Sequence, residues 1–160
     1  MNILNQFSYP LIILSVVIGI FIIARRFYKI KLPYIVIGEA IFVVVALGIF
    51  FVLRPGTSTV SSSDIAFDLI NNGKPTFVEF FSNYCSACLA LEPTVDQLAA
   101  EIESDFDILR VDIHTPFGRE LRRHYEFSFT PEFVLFNADG EEVWRAHTPP
   151  NNSQLEMALQ

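Results

Sequence analysis

The chain has 160 residues, a formal net charge of −7 and 51% hydrophobic residues. An acidic chain of this kind has no electrostatic attraction for phosphate backbones, which argues against nucleic acid as a partner. Its two cysteines cannot supply a four-thiolate zinc or iron–sulfur site within one chain.

The composition is uneven along the chain. Residues 1–24 carry no charged side chain, and residues 32–53 carry only Glu39. The apolar runs at about 7–24 and 32–53 would be about 27 and 33 Å long as helices, enough to cross a hydrocarbon core. They predict two transmembrane helices, because the hundred or so remaining residues could not cover two such helices in a soluble core. A cleavable signal peptide would want Lys or Arg before the first apolar run, and the first ten residues hold neither. Four basic residues, Arg25, Arg26, Lys29 and Lys31, fall in the connector between the runs. By the bias of positive charge, that connector is cytoplasmic, and both ends of the chain lie on the extracytoplasmic side. Residues 1–53 sum to +3 and residues 54–160 to −10, so the two parts differ in kind. Glu39, the lone charge in the second run, is expected to reach toward the basic connector.

Residues 1–54 therefore read as a membrane anchor, 55–63 as a small-polar linker that suits a tether, and 64–160 as a soluble domain. Ser63 is a candidate cap for a helix over 64–71, with Ile65, Leu69 and either Phe67 or Ile70 facing inward. Residues 76–82 are almost continuously apolar, as in a strand buried on both faces of a sheet. A helix starts at the cysteines, with Leu91, Val95, Leu98 and Ile102 at helical spacing. Glu92, Asp96, Glu101 and Glu103 fall on its other faces, and Pro93 should kink it. Residues 107–113 form a second strand, and Pro116 opens a short polar helix to about Tyr125. Strands at 133–136 and 142–146 are joined by the turn signal at 137–140. Ser153 is a candidate cap for a last helix. The order α-β-α-β-α-β-β-α predicts an α/β fold, a mixed sheet with helices on both faces. His114, His124 and His147 are expected on the surface.

Cys85-Ser86-Ala87-Cys88 carries the chemistry. A C-x-x-C at a strand-to-helix junction places the first thiol at a helix N-terminus, where free amides favour thiolate. The second thiol lies one turn inward, close enough to close a disulfide. Structural use is a poor alternative, since so short a loop constrains little of the unfolded chain. Mixed Cys/His zinc ligation lacks the usual paired-histidine spacing. Cys85, nearer the helix start and expected to be the more exposed, is the candidate attacking thiolate, and Cys88 the candidate resolving thiol. Glu79, on the buried strand beneath them, would have a raised pKa and could take the resolving thiol's proton.

This pattern resembles the thioredoxin family over roughly residues 64–160. Cys85 and Cys88 follow the first core strand. Glu79 stands where the family has a buried acidic residue, Pro93 where it has a helix proline, and Thr130-Pro131 where it has a cis-proline facing the disulfide. Tyr84 stands where many members have Trp and would shape the surface beside Cys85. The resemblance implies a thioredoxin-like fold and thiol–disulfide exchange with protein substrates, with no cofactor. It also implies that Thr130 and Pro131 dock the substrate backbone by strand addition. Ser86-Ala87 replaces the family's Gly-Pro, the glycine expected near 146–149 is missing, and the family's first strand is replaced by the linker.

The sequence thus predicts a membrane-tethered, extracytoplasmic oxidoreductase in a cell membrane of the inner or thylakoid type. Related tethered domains generally act as reductants, including in the maturation of c-type cytochromes. The apolar runs hold no cysteine, so a separate membrane-embedded electron donor is implied. The alternatives are a disulfide oxidase or isomerase, a Cu(I)-binding module, or a scaffold.

Overall fold

The computed structural model describes residues 3–160, so residues 1 and 2 of the expected anchor lie outside the described residues. A short helix α1 (Ile3–Gln6) leads into two long ones, α2 (Ser8–Arg26) and α3 (Leu32–Leu53). Both are long and apolar enough to cross a membrane. Only 6% and 11% of their apolar windows are buried inside the molecule. A core helix of a soluble protein would be mostly covered, so these two present their apolar sides outward. The Tyr9 hydroxyl donates to the Ala46 carbonyl and ties α2 to α3.

The rest of the chain is α4 (Ser63–Ile70), β1 (Thr76–Phe81), α5 (Ser86–Ile102), β2 (Asp107–Asp112), α6 (Pro116–His124), β3 (Glu132–Phe136), β4 (Glu142–Ala146) and α7 (Asn152–Ala158). This is the element order the sequence predicts. The sheet runs β2-β1-β3-β4, with β1 parallel to β2 and antiparallel to β3, and β3 antiparallel to β4. Every residue of β1 is buried, which explains its nearly continuous apolar run. Its alternation divides two cores. Val78 and Phe80 face α4 and α6 with Ala66, Ile70, Leu109, Val111 and Leu121. Phe77 faces α5 and α7 with Val95, Leu98, Ile102 and Leu155. Gly140, at φ +77°, turns the chain between β3 and β4 in the left-handed region that glycine tolerates.

Local details differ from expectation. Ser62, not Ser63, caps α4 by accepting from the Ile65 N–H. The buried face of α4 also differs from the expected one: Ala66 and Ile70 are buried, while Ile65 is 48% exposed. Asn151, not Ser153, caps α7 in a capping box with Gln154. Glu92, expected on an outer face, is buried because its partner comes from the sheet. The linker is not free. The Thr59 N–H donates to the Arg110 carbonyl at 3.0 Å, and the Ser58 hydroxyl accepts from the Asp112 N–H at 2.8 Å. These contacts occupy the outer edge of β2, which would otherwise present unpaired backbone groups.

Candidate active site

The site forms where β1 ends and α5 begins. Cys85 is the N-cap of α5, and its sulfur accepts from the Cys88 N–H at 3.4 Å. The two cysteines are free and pack with Phe81. The Cys85 pKa is lowered to about 6. The largest cause is the hydrogen bond from the Cys88 thiol, opposed by burial; the Thr130 side chain and the amides of Cys88 and Ala87 add to the lowering. Cys88 is pushed the other way, chiefly by burial, then by its bond to Cys85 and by the charge there. One thiol is thus held as thiolate and its neighbour as thiol, the division of labour that stepwise disulfide exchange needs.

Thr130 and Pro131 face the cysteines from the loop before β3. The Thr130–Pro131 peptide is cis, and the Cys85 sulfur lies 3.6 Å from the Thr130 carbonyl oxygen. His147 approaches the same loop, with Nδ1 2.9 Å from the Pro131 carbonyl and its ring stacked on Phe129. His114, expected on the surface, is half-buried, with Nε2 2.9 Å from the Ser82 hydroxyl. Its pKa is lowered, first by burial. Tyr84 is exposed beside Cys85, and its ring stacks on Phe7 and Phe50. Cys85 itself departs from expectation: it is 0% exposed, packed with Phe81 and Cys88, and residues 5–9 bond to its neighbours Ser82, Tyr84, Ser86 and Thr130.

Beneath the dithiol, Glu79 is 1% exposed. Burial raises its pKa from 4.5 to about 7, and Arg110 opposes the rise. Arg110 is the residue that sequence reasoning missed. Its Nε donates to Glu79 at 2.7 Å, while its other nitrogens reach Glu92 at 2.7 Å and Asp96 at 3.0 Å. The β1–β2 register sets Glu79 directly beside Arg110. The available signal was an arginine between Leu109 and Val111 in a strand, together with carboxylates four apart at Glu92 and Asp96 on one helix. Among the described residues, no group of three or more His, Cys, Asp or Glu side chains is placed to hold a metal ion.

A low-pKa thiol at a helix N-terminus, a buried partner thiol and a buried carboxyl on a mixed sheet define a thiol–disulfide exchange site. Known proteins agree. The thioredoxin family model matches residues 58–160. The chain is 27% identical over 92 residues to a thioredoxin of Mycobacterium bovis, covering 58% of this chain and 77% of that one. It is 30% identical over 105 residues to a chloroplastic thioredoxin-like protein of Oryza sativa, covering 61% and 39%. Among solved structures, Fasciola hepatica thioredoxin matches with a TM-score of 0.50 and 29% identity, over 61% of this chain and 91% of that one. The chain belongs to the thioredoxin family, and it is a thiol–disulfide oxidoreductase of protein substrates.

Proposed function

We propose that this oxidoreductase is tethered to a membrane by α2 and α3, with residues 55–63 as the connection and 64–160 as an extracytoplasmic redox domain. The outward apolar sides of both helices support the tether. The four basic residues of the 27–31 connector and its flank support a cytoplasmic placement for that turn. Both ends of the chain then share the opposite side, where disulfide substrates persist.

The paired cysteines, one thiolate and one thiol, carry the mechanism. The Cys85 thiolate attacks a substrate disulfide, forms a mixed disulfide and releases one substrate thiolate. Glu79 takes the Cys88 proton, and the Cys88 thiolate attacks the Cys85 sulfur. The second substrate thiol leaves, and the Cys85–Cys88 disulfide remains. Two electrons have passed to the substrate, whose backbone pairs with Thr130 beside Pro131 while Tyr84 flanks it. The domain acts as a reductant, with apocytochromes c among its candidate substrates, and a membrane-embedded dithiol donor restores it.

The reduction potential, measured on the full chain by equilibration against glutathione, tests the direction. A reductant should lie near or below about −250 mV, and a value above about −180 mV would make the domain an oxidant. Topology is tested separately on sealed membranes with the outer face exposed. Added protease should cut the redox domain and spare the connector at Lys29 and Lys31; cleavage there before lysis would overturn the orientation.

A further inference from the structure

A sulfur of the incoming disulfide has to reach Cys85 in line with the bond it breaks, yet Cys85 is fully covered. The cover comes from the opposite end of the chain. The Asn5 Nδ2 donates to the Thr130 carbonyl at 2.8 Å. Its Oδ1 accepts from the Thr130 N–H at 2.9 Å and from the Thr130 hydroxyl at 2.9 Å. The Gln6 carbonyl accepts from the Ser82 hydroxyl at 2.9 Å. Phe7 stacks on Tyr84 with ring centroids 5.6 Å apart and lies 5.1 Å from His114. The Ser8 hydroxyl accepts from the Ser86 N–H at 2.9 Å, at the first turn of α5. The Tyr9 N–H donates to the Tyr84 carbonyl at 3.0 Å.

The Asn5 pairing is informative. An extended strand added beside Thr130 would exchange two hydrogen bonds with it, one to its N–H and one from its own N–H to the Thr130 carbonyl. A primary amide offers the same acceptor and donor, and Asn5 uses both. We propose that residues 3–9 are an intrachain strap seated in the substrate groove, with Asn5 in the position of the substrate backbone. A disulfide-bearing protein must displace the strap before Cys85 can attack. This rests on the roles given above to Cys85 and Thr130, and it does not depend on which side of a membrane the domain occupies.

The strap is held without covalent bonds to the site, so it can exchange. Gln6 Nε2 is buried without a hydrogen-bond partner among the described residues, and displacement returns it to water. Continuity with α2 keeps the strap at high local concentration, so it closes again once a product leaves. Small oxidants and unselective disulfides are excluded, whereas a partner that supplies its own strand and ring contacts competes.

The test uses the full chain in detergent, reduced, with iodoacetamide as the probe and peptide mapping to locate the modified cysteine. Asn5→Ala combined with Ser8→Ala should speed alkylation of Cys85 by roughly tenfold or more, as expected for the loss of several hydrogen bonds. A synthetic peptide of residues 3–9, in excess, should slow the variant again, and the same peptide with alanine for asparagine should not. An unfolded variant would not be protected by the peptide, so that rescue separates release of the strap from general damage. Equal alkylation rates in variant and wild type, or a rise that the peptide does not reverse in a variant with the wild-type circular dichroism spectrum, would overturn the proposal. Alkylation needs no disulfide substrate, so a failure of the exchange mechanism would appear in turnover assays and leave this readout intact.

Discussion

Replacing Cys88 by alanine is expected to convert a turning-over enzyme into one that reacts once per chain and stops. Cys85 retains its place at the N-cap of α5 and still attacks, but nothing remains to resolve the mixed disulfide. The trapped adduct should appear on non-reducing gels at the combined mass of chain and substrate and vanish on reduction. Cys85→Ala removes the nucleophile itself and should reduce exchange by roughly 10³-fold or more with no adduct. The two resolving variants, Cys88→Ala and Cys88→Ser, should also differ from each other. The largest contribution to the low Cys85 pKa is the hydrogen bond from Cys88. Serine preserves a donor there, so thiolate formation should stay half-maximal near the wild-type value of about 6. Alanine removes the donor, and the midpoint should move up toward that of an ordinary thiol. Thiolate absorbance against pH reads this directly. If alanine leaves the midpoint in place, the helix amides rather than the partner thiol hold the charge.

The parts of this site that depend on local order were legible in the sequence. Cys85 caps a helix because a strand ends four residues before it and a helix begins one residue after it, and both signals are short-range. The nearly continuous apolar run of β1 announced a strand covered on both faces, and Glu79 inside it announced a buried carboxyl. What stayed hidden depends on register and on distant segments. Arg110 meets Glu79 only because β2 lies parallel to β1 at that particular register, and Glu92 is buried only because Arg110 is there to pair with it. Ile65 faces outward because α4 packs through Ala66 and Ile70, and five apolar residues in eight left the choice of face open. Asn5 and Thr130 are separated by 125 residues, and no periodicity relates them. That contact inverts the expected exposure of Cys85. Exposure of a nucleophile is therefore the least local property of such a site, and the one that motif spacing predicts worst.

Glu79→Gln is expected to slow the resolving step by about 10²-fold, the lower end of what a positioned base contributes. A carboxyl with a pKa of about 7 is half ionised near neutrality, so it can accept the Cys88 proton there without being permanently charged. In the wild type the resolving rate should rise through pH 7 as Glu79 loses its own proton, and in the variant that inflection should be absent. Glutamine keeps an oxygen for the Arg110 Nε, and Arg110 keeps Glu92 and Asp96, so the cluster stays paired and the fold should survive. Stability provides an independent reading with a definite sign. In the unfolded chain Glu79 releases its proton near its ordinary value of 4.5, whereas in the folded chain it holds the proton until about 7. Between those values the folded state binds more protons, so stability falls as pH rises. The contribution is fully present below 4.5, is lost above about 7, and amounts to about 3 kcal/mol. Urea midpoints of wild type and Glu79→Gln, compared from pH 4 to pH 8, should therefore converge on the acid side and separate on the alkaline side, with the variant the more stable at pH 8. A variant that resolves at the wild-type rate would remove Glu79 from the mechanism. One that resolves slowly but shows the wild-type dependence of stability on pH would place the proton acceptor's titration elsewhere in the cluster, with Glu92 the next carboxyl whose pKa burial raises.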